Sequence, residues 1–235
     1  MLFADVLDVL FEDNHLLGLN KPSGWPSAHF DGGDQTMDLV AKAYLKEKYD
    51  KPGNVFLGVV HRLDKSTSGC LLFARTSKAA ARLSEQFREG AVEKVYYAVV
   101  EVGGNGLADV GTLEDWLWHD DNAHLVRVVE EDAPDAKHAR LHYTVKASHG
   151  KRRLLELRPQ TGRKHQLRVQ LASRGYPIVG DAKYGSPHRL GNAIALHARS
   201  LSFLHPTTTE PITLTADIPR HWRGPFAHLL TGVRS

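Results

Sequence analysis

Apolar positions along the chain fall into short blocks that switch between a period of two and a period near four. Val6–Leu10 and His15–Asn20, joined by the turn-forming Glu12-Asp13-Asn14, predict a β-hairpin of mostly buried strands. A loop rich in glycine and proline, Lys21–Gly33, follows. Thr36–Tyr49 has Leu39, Val40, Ala43 and Tyr44 at helical spacing, and Lys51-Pro52-Gly53 stops it. Val55–Val60 and Cys70–Ala74 are β-type apolar runs bracketing the polar loop His61–Gly69. Ser77 is placed to cap a helix reaching about Glu89, with Gly90 as its C-terminal stop. In the strand Glu93–Val102 the neighbours Tyr96 and Tyr97 must point to opposite faces, so only one of them can serve a site.

Alternation resumes at Leu141, Tyr143 and Val145, and again at Leu155 and Leu157. These two strands lead into the turn Pro159-Gln160-Thr161-Gly162 and a basic helix over Arg163–Ser173, with later strands near Ser200–Leu204 and Ile212–Thr215. Residues 103–136, acidic and with only short strand-like pieces such as Leu125–Val129, read as a peripheral insertion. Neither an internal repeat nor a Pro/Ser-rich linker divides the chain. The pattern therefore predicts one α+β domain over residues 1–235, with a largely antiparallel sheet.

Composition narrows the setting. The chain has 235 residues, 42% of them hydrophobic and 24% charged, as expected of a folded globular protein. A single cysteine, Cys70, excludes an internal disulfide framework and suits a reducing cytoplasm. The apolar N-terminus has Asp5, Asp8, Glu12 and Asp13 and no early base, the opposite of a secretory signal. No run approaches the roughly 18 apolar residues of a membrane span. The net charge of +3 conceals a segregation. Residues 1–50 have 4 bases against 9 acids and residues 101–150 have 4 against 10. Residues 51–100 have 8 against 4, and residues 151–200 have 11 against only Glu156 and Asp181. Concentrated cationic segments of this kind can bind a phosphate backbone if they converge, or can be separate solvated faces if they do not.

Two segments could carry chemistry. In His61-Arg62-Leu63-Asp64-Lys65-Ser66-Thr67-Ser68-Gly69, a carboxylate leaves a buried strand between two cations that favour its ionised form, as a nucleophile requires. The same residue could simply cap its own loop. In Thr161-Gly162-Arg163-Lys164-His165-Gln166-Leu167-Arg168, helical spacing sets Arg168 beside the Leu167/Leu171 stripe. It could reach inward to a carboxylate or snorkel to solvent, while Arg163, Lys164 and His165 are placed to meet a phosphate. No Walker motif, dinucleotide fingerprint or metal-ligand spacing accompanies them, and the 14 histidines are scattered.

These segments, with Asn20-Lys21-Pro22-Ser23-Gly24, Lys94-Val95-Tyr96-Tyr97-Ala98, Pro177-Ile178-Val179-Gly180-Asp181, Leu196-His197-Ala198 and Phe203-Leu204-His205-Pro206, occur in the order seen in the RluA family of RNA pseudouridine synthases. The resemblance covers about residues 8–216. It implies a pseudouridine synthase fold, with a large mixed, mainly antiparallel sheet flanked by helices and loops around a central cleft. It also implies that Asp64 is the catalytic aspartate, that Tyr96 stacks under the target base, and that Arg168 pairs with Asp64. Arg62 matches the arginine that fills the gap left by a flipped base, and Leu196 an apolar residue packed near that base. His61, Arg163 and His165 complete the expected substrate-binding set.

Uridine becomes pseudouridine when its C1′–N1 bond breaks, the uracil turns in place, and a C1′–C5 bond forms, with no redox change. The resemblance thus implies no cofactor and no metal. The base must leave its stack, which calls for an aromatic platform. Asp64 could attack C1′ or remove the 2′ proton, and the sequence leaves both routes open. The expected partner is a tRNA or rRNA stem-loop, with no DNA and no membrane, and the expected state is a cytoplasmic monomer. The Asn-Lys-Pro motif at residue 20 predicts a catalytic domain with no S4 RNA-binding domain ahead of it. A non-catalytic RNA-binding module is disfavoured because binding alone needs no buried carboxylate facing phosphates. A glycosidase would want a second, paired carboxylate.

Overall fold

The computed structural model describes residues 7–28, 35–102 and 106–231. The fold is α+β, with eleven strands and four α-helices among the described residues, and it divides into two compact units. The first comprises residues 1–94 and 198–217, the second residues 95–197 and 218–235.

In the first unit, β1 (Val9–Glu12) and β2 (Leu16–Lys21) form the expected hairpin. Its turn lies at Asp13-Asn14 because Asp13 Oδ1 accepts both the His15 and Leu16 N–H groups, at 2.7 Å each. Val6 of the expected first strand lies outside the described residues. Helix α1 spans Met37–Lys48. The run Val55–Val60 yields only the two-residue β3 (Gly58–Val59), whereas β4 (Ser68–Ala74) has all seven residues buried. Helix α2 (Ser77–Glu89) is capped by Thr76, not Ser77: its Oγ1 accepts the Ala79 N–H at 3.2 Å. Gly90 closes the helix in the left-handed region, as its position predicted.

Strand β10 (Leu196–Leu204) starts in the second unit, and from Ala198 onward belongs to the first, where β11 (Pro211–Thr215) pairs antiparallel with it. The first unit's strand order is β1-β2-β4-β10, with β3 on β4 and β11 on β10. Leu16, Leu72, Leu83, Leu201, Phe203 and Leu214 form its core. At Gly69 (φ 112°) a Cβ would fall 2.2 Å from the Ala198 carbonyl oxygen, so this strand approach admits only glycine.

Strand β5 (Glu93–Glu101) belongs to the second unit from Val95 onward and is joined there by β6 (Val110–Asp120), β7 (Leu125–Val129), β8 (Lys137–His149) and β9 (Arg152–Pro159), in the order β5-β9-β8-β6-β7. The pairings β5–β9, β9–β8, β8–β6 and β6–β7 are all antiparallel. The segment read as a peripheral insertion thus supplies the edge hairpin β6–β7. Helix α3 (Gln166–Ala172) packs Leu167 and Leu171 into the main core with Leu141, Leu157 and Ile194, and the short α4 (Ala227–Leu230) adds Leu229. No helix among the described residues is long and apolar enough to cross a membrane.

Candidate active site

The loop between β3 and β4 carries Asp64, half-buried, with Arg62 and Lys65 exposed on either side and Leu63 buried. Backbone bonds fix it. The Thr67 N–H donates to the Asp64 carbonyl (3.0 Å), and the Gly24 N–H to the Lys65 carbonyl (2.7 Å). Ser27 Oγ donates to the Leu63 carbonyl at 2.8 Å and accepts the Leu63 N–H at 2.9 Å.

Beneath this loop the side chain of Lys21 is wholly buried. Its ammonium donates to the carbonyls of Pro22 (2.9 Å), Trp25 (2.8 Å) and Lys65 (3.3 Å), so each of its three protons is used. Burial pushes the Lys21 pKa down to about 7, and the nearby Asp64 carboxylate opposes that shift. Lys21 was visible in the sequence only as part of an ordered motif. Nothing in its surroundings along the chain shows that it would join two loops beside a carboxylate.

His61 lies at the start of the same loop. Its Nε2 accepts the Leu72 N–H at 2.9 Å and its ring stacks on Phe87 at 4.8 Å, so the ring braces the loop against α2. Burial, with a smaller contribution from the Lys94 ammonium, lowers its pKa to about 3 and keeps it neutral. The acceptor nitrogen is thereby committed to the backbone of β4.

In the second unit, α3 begins at Gln166 rather than Arg163. Gln166 shapes the preceding turn: its Oε1 accepts from Thr161 Oγ1 (2.7 Å) and the Arg163 N–H (3.0 Å), and its Nε2 donates to the Arg140 carbonyl (3.1 Å). His165 then takes a left-handed conformation (φ 51°). Arg163 and Lys164 consequently project from a turn and not from a helix face. Arg163 Nε donates to the His138 carbonyl at 2.9 Å.

Arg168 lies on α3, buried. Its Nε and Nη2 donate to Asp181 Oδ2 and Oδ1 at 2.7 and 2.8 Å, and its guanidinium carbon stands 5.1 Å from the Tyr184 ring centre. The Tyr184 hydroxyl accepts the Val126 N–H (3.1 Å) and is hydrogen-bonded to His165 Nδ1 (2.8 Å). Asp181 and Tyr184 thus fix two expected site residues. In the sequence Asp181 is part of the Pro177–Asp181 motif, and neither it nor Tyr184 has a neighbour along the chain that points to these contacts.

Tyr96, half-buried on β5, pairs in register with Leu157, and Tyr97 with Glu156 on the opposite face. Leu196, at the start of β10, is buried in the main core of the second unit. Asp64, Arg62 and His61 therefore belong to the first unit, and Tyr96, Arg163, His165, Arg168 and Leu196 to the second.

Residues 15–173 match the sequence profile of the RNA pseudouridylate synthase family. The chain belongs to that family. An uncharacterized RNA pseudouridine synthase of Bacillus subtilis is 38% identical over 91% of this chain and 69% of its own length. The tRNA pseudouridine synthase C of Haemophilus ducreyi is 35% identical over 92% of this chain and 93% of its own. The structure of human RNA pseudouridylate synthase domain containing 4 superposes with a TM-score of 0.76 at 27% identity, covering 95% of this chain and 92% of that one. As a pseudouridine synthase the protein is an isomerase acting on uridine in RNA. Among the described residues no group of three or more His, Cys, Asp or Glu side chains could hold a metal ion.

Proposed function

We propose that this pseudouridine synthase modifies a uridine in a tRNA or rRNA stem-loop, with Asp64 as the catalytic carboxylate. The observation that carries the reading is the mounting of Asp64: its loop is bonded to Lys21, Gly24 and Ser27, which holds a reacting carboxylate in one geometry. Asp64 acts on the sugar, by attack at C1′ or removal of the 2′ proton, and stabilises the charge that develops as the C1′–N1 bond breaks. Tyr96 stacks under the detached uracil while it turns. The C1′–C5 bond forms, C5 loses its proton, and N1 gains one, so the product is an isomer of the substrate.

Arg168 presents one edge to Asp181 and, in this reading, meets Asp64 with the rest of its guanidinium. Arg62, exposed beside Asp64, occupies the space left by the flipped base. Arg163 and His165 hold the RNA backbone, and Leu196 packs near the target base. All of this fits within one catalytic domain, acting as a cytoplasmic monomer without metal or cofactor and without DNA or membrane as partner.

The experiment is carbodiimide labelling and primer extension of tRNA and rRNA transcripts incubated with chelator-treated protein. The expected result is a new pseudouridine stop at one or a few loop uridines. Transcripts of both kinds left unmodified would contradict the reading.

A further inference from the structure

One short segment holds Arg168 from two directions. A single 3₁₀ turn, Ala182–Tyr184, follows Asp181, whose carbonyl accepts the N–H groups of Tyr184 and Ser186 at 3.0 Å each. The hydroxyl of the buried Ser186 accepts the Gly180 N–H at 3.1 Å, which closes the segment on itself. Side chains three apart on such a turn project to the same side. Asp181 therefore takes the edge of the guanidinium, and the Tyr184 ring lies against its face.

The other side of Tyr184 is fixed as well. Its ring packs on Leu117, Val126, Ala139 and Val169, a small core between α3 and strands β6, β7 and β8. Its hydroxyl takes the N–H of Val126 in β7, the last strand of the sheet, and bonds to His165 Nδ1. The His165 ring stands edge-on to the Tyr184 ring at 5.6 Å. His165 is in the left-handed region, which a side chain other than glycine keeps only where its surroundings hold it. The two ends of one side chain thus touch two residues with different duties: the ring meets Arg168 and the hydroxyl meets His165.

We propose that Tyr184 is a positioning residue that serves turnover and RNA binding separately. Its ring sets the guanidinium of Arg168 for the reaction, and its hydroxyl sets the imidazole of His165 for the RNA backbone, with the edge of β7 as the anchor. The inference rests on the reading that gives Arg168 and His165 those duties. It also gives the β6–β7 hairpin a part in the reaction that needs no contact between the hairpin and RNA.

The test compares Tyr184→Phe, which keeps the ring and loses the hydroxyl, with Tyr184→Leu, which loses both. RNA affinity is read by filter binding, and the rate of pseudouridine formation by single turnover at saturating protein, on a transcript that the wild type modifies. Tyr184→Phe is expected to raise Kd about fivefold, as for one lost hydrogen bond, and to leave the saturated rate within about twofold of wild type. Tyr184→Leu is expected to raise Kd to a similar extent and to lower the rate about 10- to 100-fold. Its rate loss should be strongly non-additive with that of Arg168→Lys. Should Tyr184→Leu not fold, Tyr184→Met takes its place. Equal rate losses in the Phe and Leu variants, an unchanged Kd in both, or rate losses additive with Arg168→Lys would overturn the proposal. Arg168→Lys alone and His165→Ala alone are the controls. A wild-type rate in the first, or a wild-type Kd in the second, would contradict the underlying reading of those residues, whereas impaired controls beside wild-type behaviour of both Tyr184 variants would sink the proposal alone.

Discussion

Arg168 and Asp181 form a buried two-bond ion pair, with side chains 7% and 2% exposed and the shorter bond at 2.7 Å. The pair fixes the plane of the guanidinium, which a lysine at 168 could not reproduce. Asp181→Asn keeps the shape and removes the charge. The expected outcome is a fall in kcat of about 10- to 100-fold with little change in KM, the pattern of a positioning residue. The check is a double-mutant cycle with Arg168→Lys: strongly non-additive losses are expected, and additive losses would separate the two residues. Asp181→Ala, which removes both carboxylate bonds from the buried Arg168, should cost about 3–5 kcal/mol of stability in denaturant melts.

Lys21→Met takes the ammonium donor from the Pro22 and Trp25 carbonyls and one of two donors from the Lys65 carbonyl, and buries an apolar chain in its place. A loss of about 2–4 kcal/mol at pH 7 is expected in urea unfolding, together with a lower kcat through the loosened Asp64 loop. The pH dependence has a definite sign. The folded pKa of about 7 lies below the ordinary lysine value near 10.4, so between these values the unfolded chain binds more protons and stability rises with pH. The wild-type advantage over Lys21→Met should therefore grow from pH 7 to pH 10, by at most ~1.4 kcal/mol per pH unit. An advantage that shrinks over this window would show that Lys21 is not shifted downward.

His61 makes a separate prediction on the acid side. Its folded pKa of about 3 lies below the ordinary value near 6.5, so its contribution is complete above pH 6.5 and is lost as pH falls toward 3. His61→Gln should flatten the acid limb of stability between those values while leaving RNA affinity nearly unchanged. A large loss of affinity with an unaltered acid limb would place His61 in contact with the RNA instead.

What the sequence disclosed and what it hid follow physical lines. Elements whose cause is local were legible: the stop of α2 at Gly90, the fully apolar β4, and the alternation that sets Tyr96 and Tyr97 on opposite faces. Elements whose cause is a distant partner were misplaced or missed. The start of α3 moved from Arg163 to Gln166 because Gln166 bonds back to Thr161 and to the Arg140 carbonyl. In the weakly alternating segment 110–129, β6 pairs with β7 on one side and with the distant β8 on the other. Among site residues, Asp64, Tyr96 and Arg168 stood out through ordered motifs. Lys21, Asp181 and Tyr184 act through contacts that spacing along the chain does not encode.

The most direct test is release of tritium from transcripts labelled at C5 of uridine, because every turnover must expel that hydrogen when the C1′–C5 bond forms. Wild-type protein incubated with labelled tRNA and rRNA is expected to release tritium in proportion to the pseudouridine formed. Asp64→Asn is expected to release none above background while still binding the same RNA. Release by Asp64→Asn at the wild-type rate would contradict the assignment of Asp64, and no release by the wild type from either RNA would contradict the account as a whole.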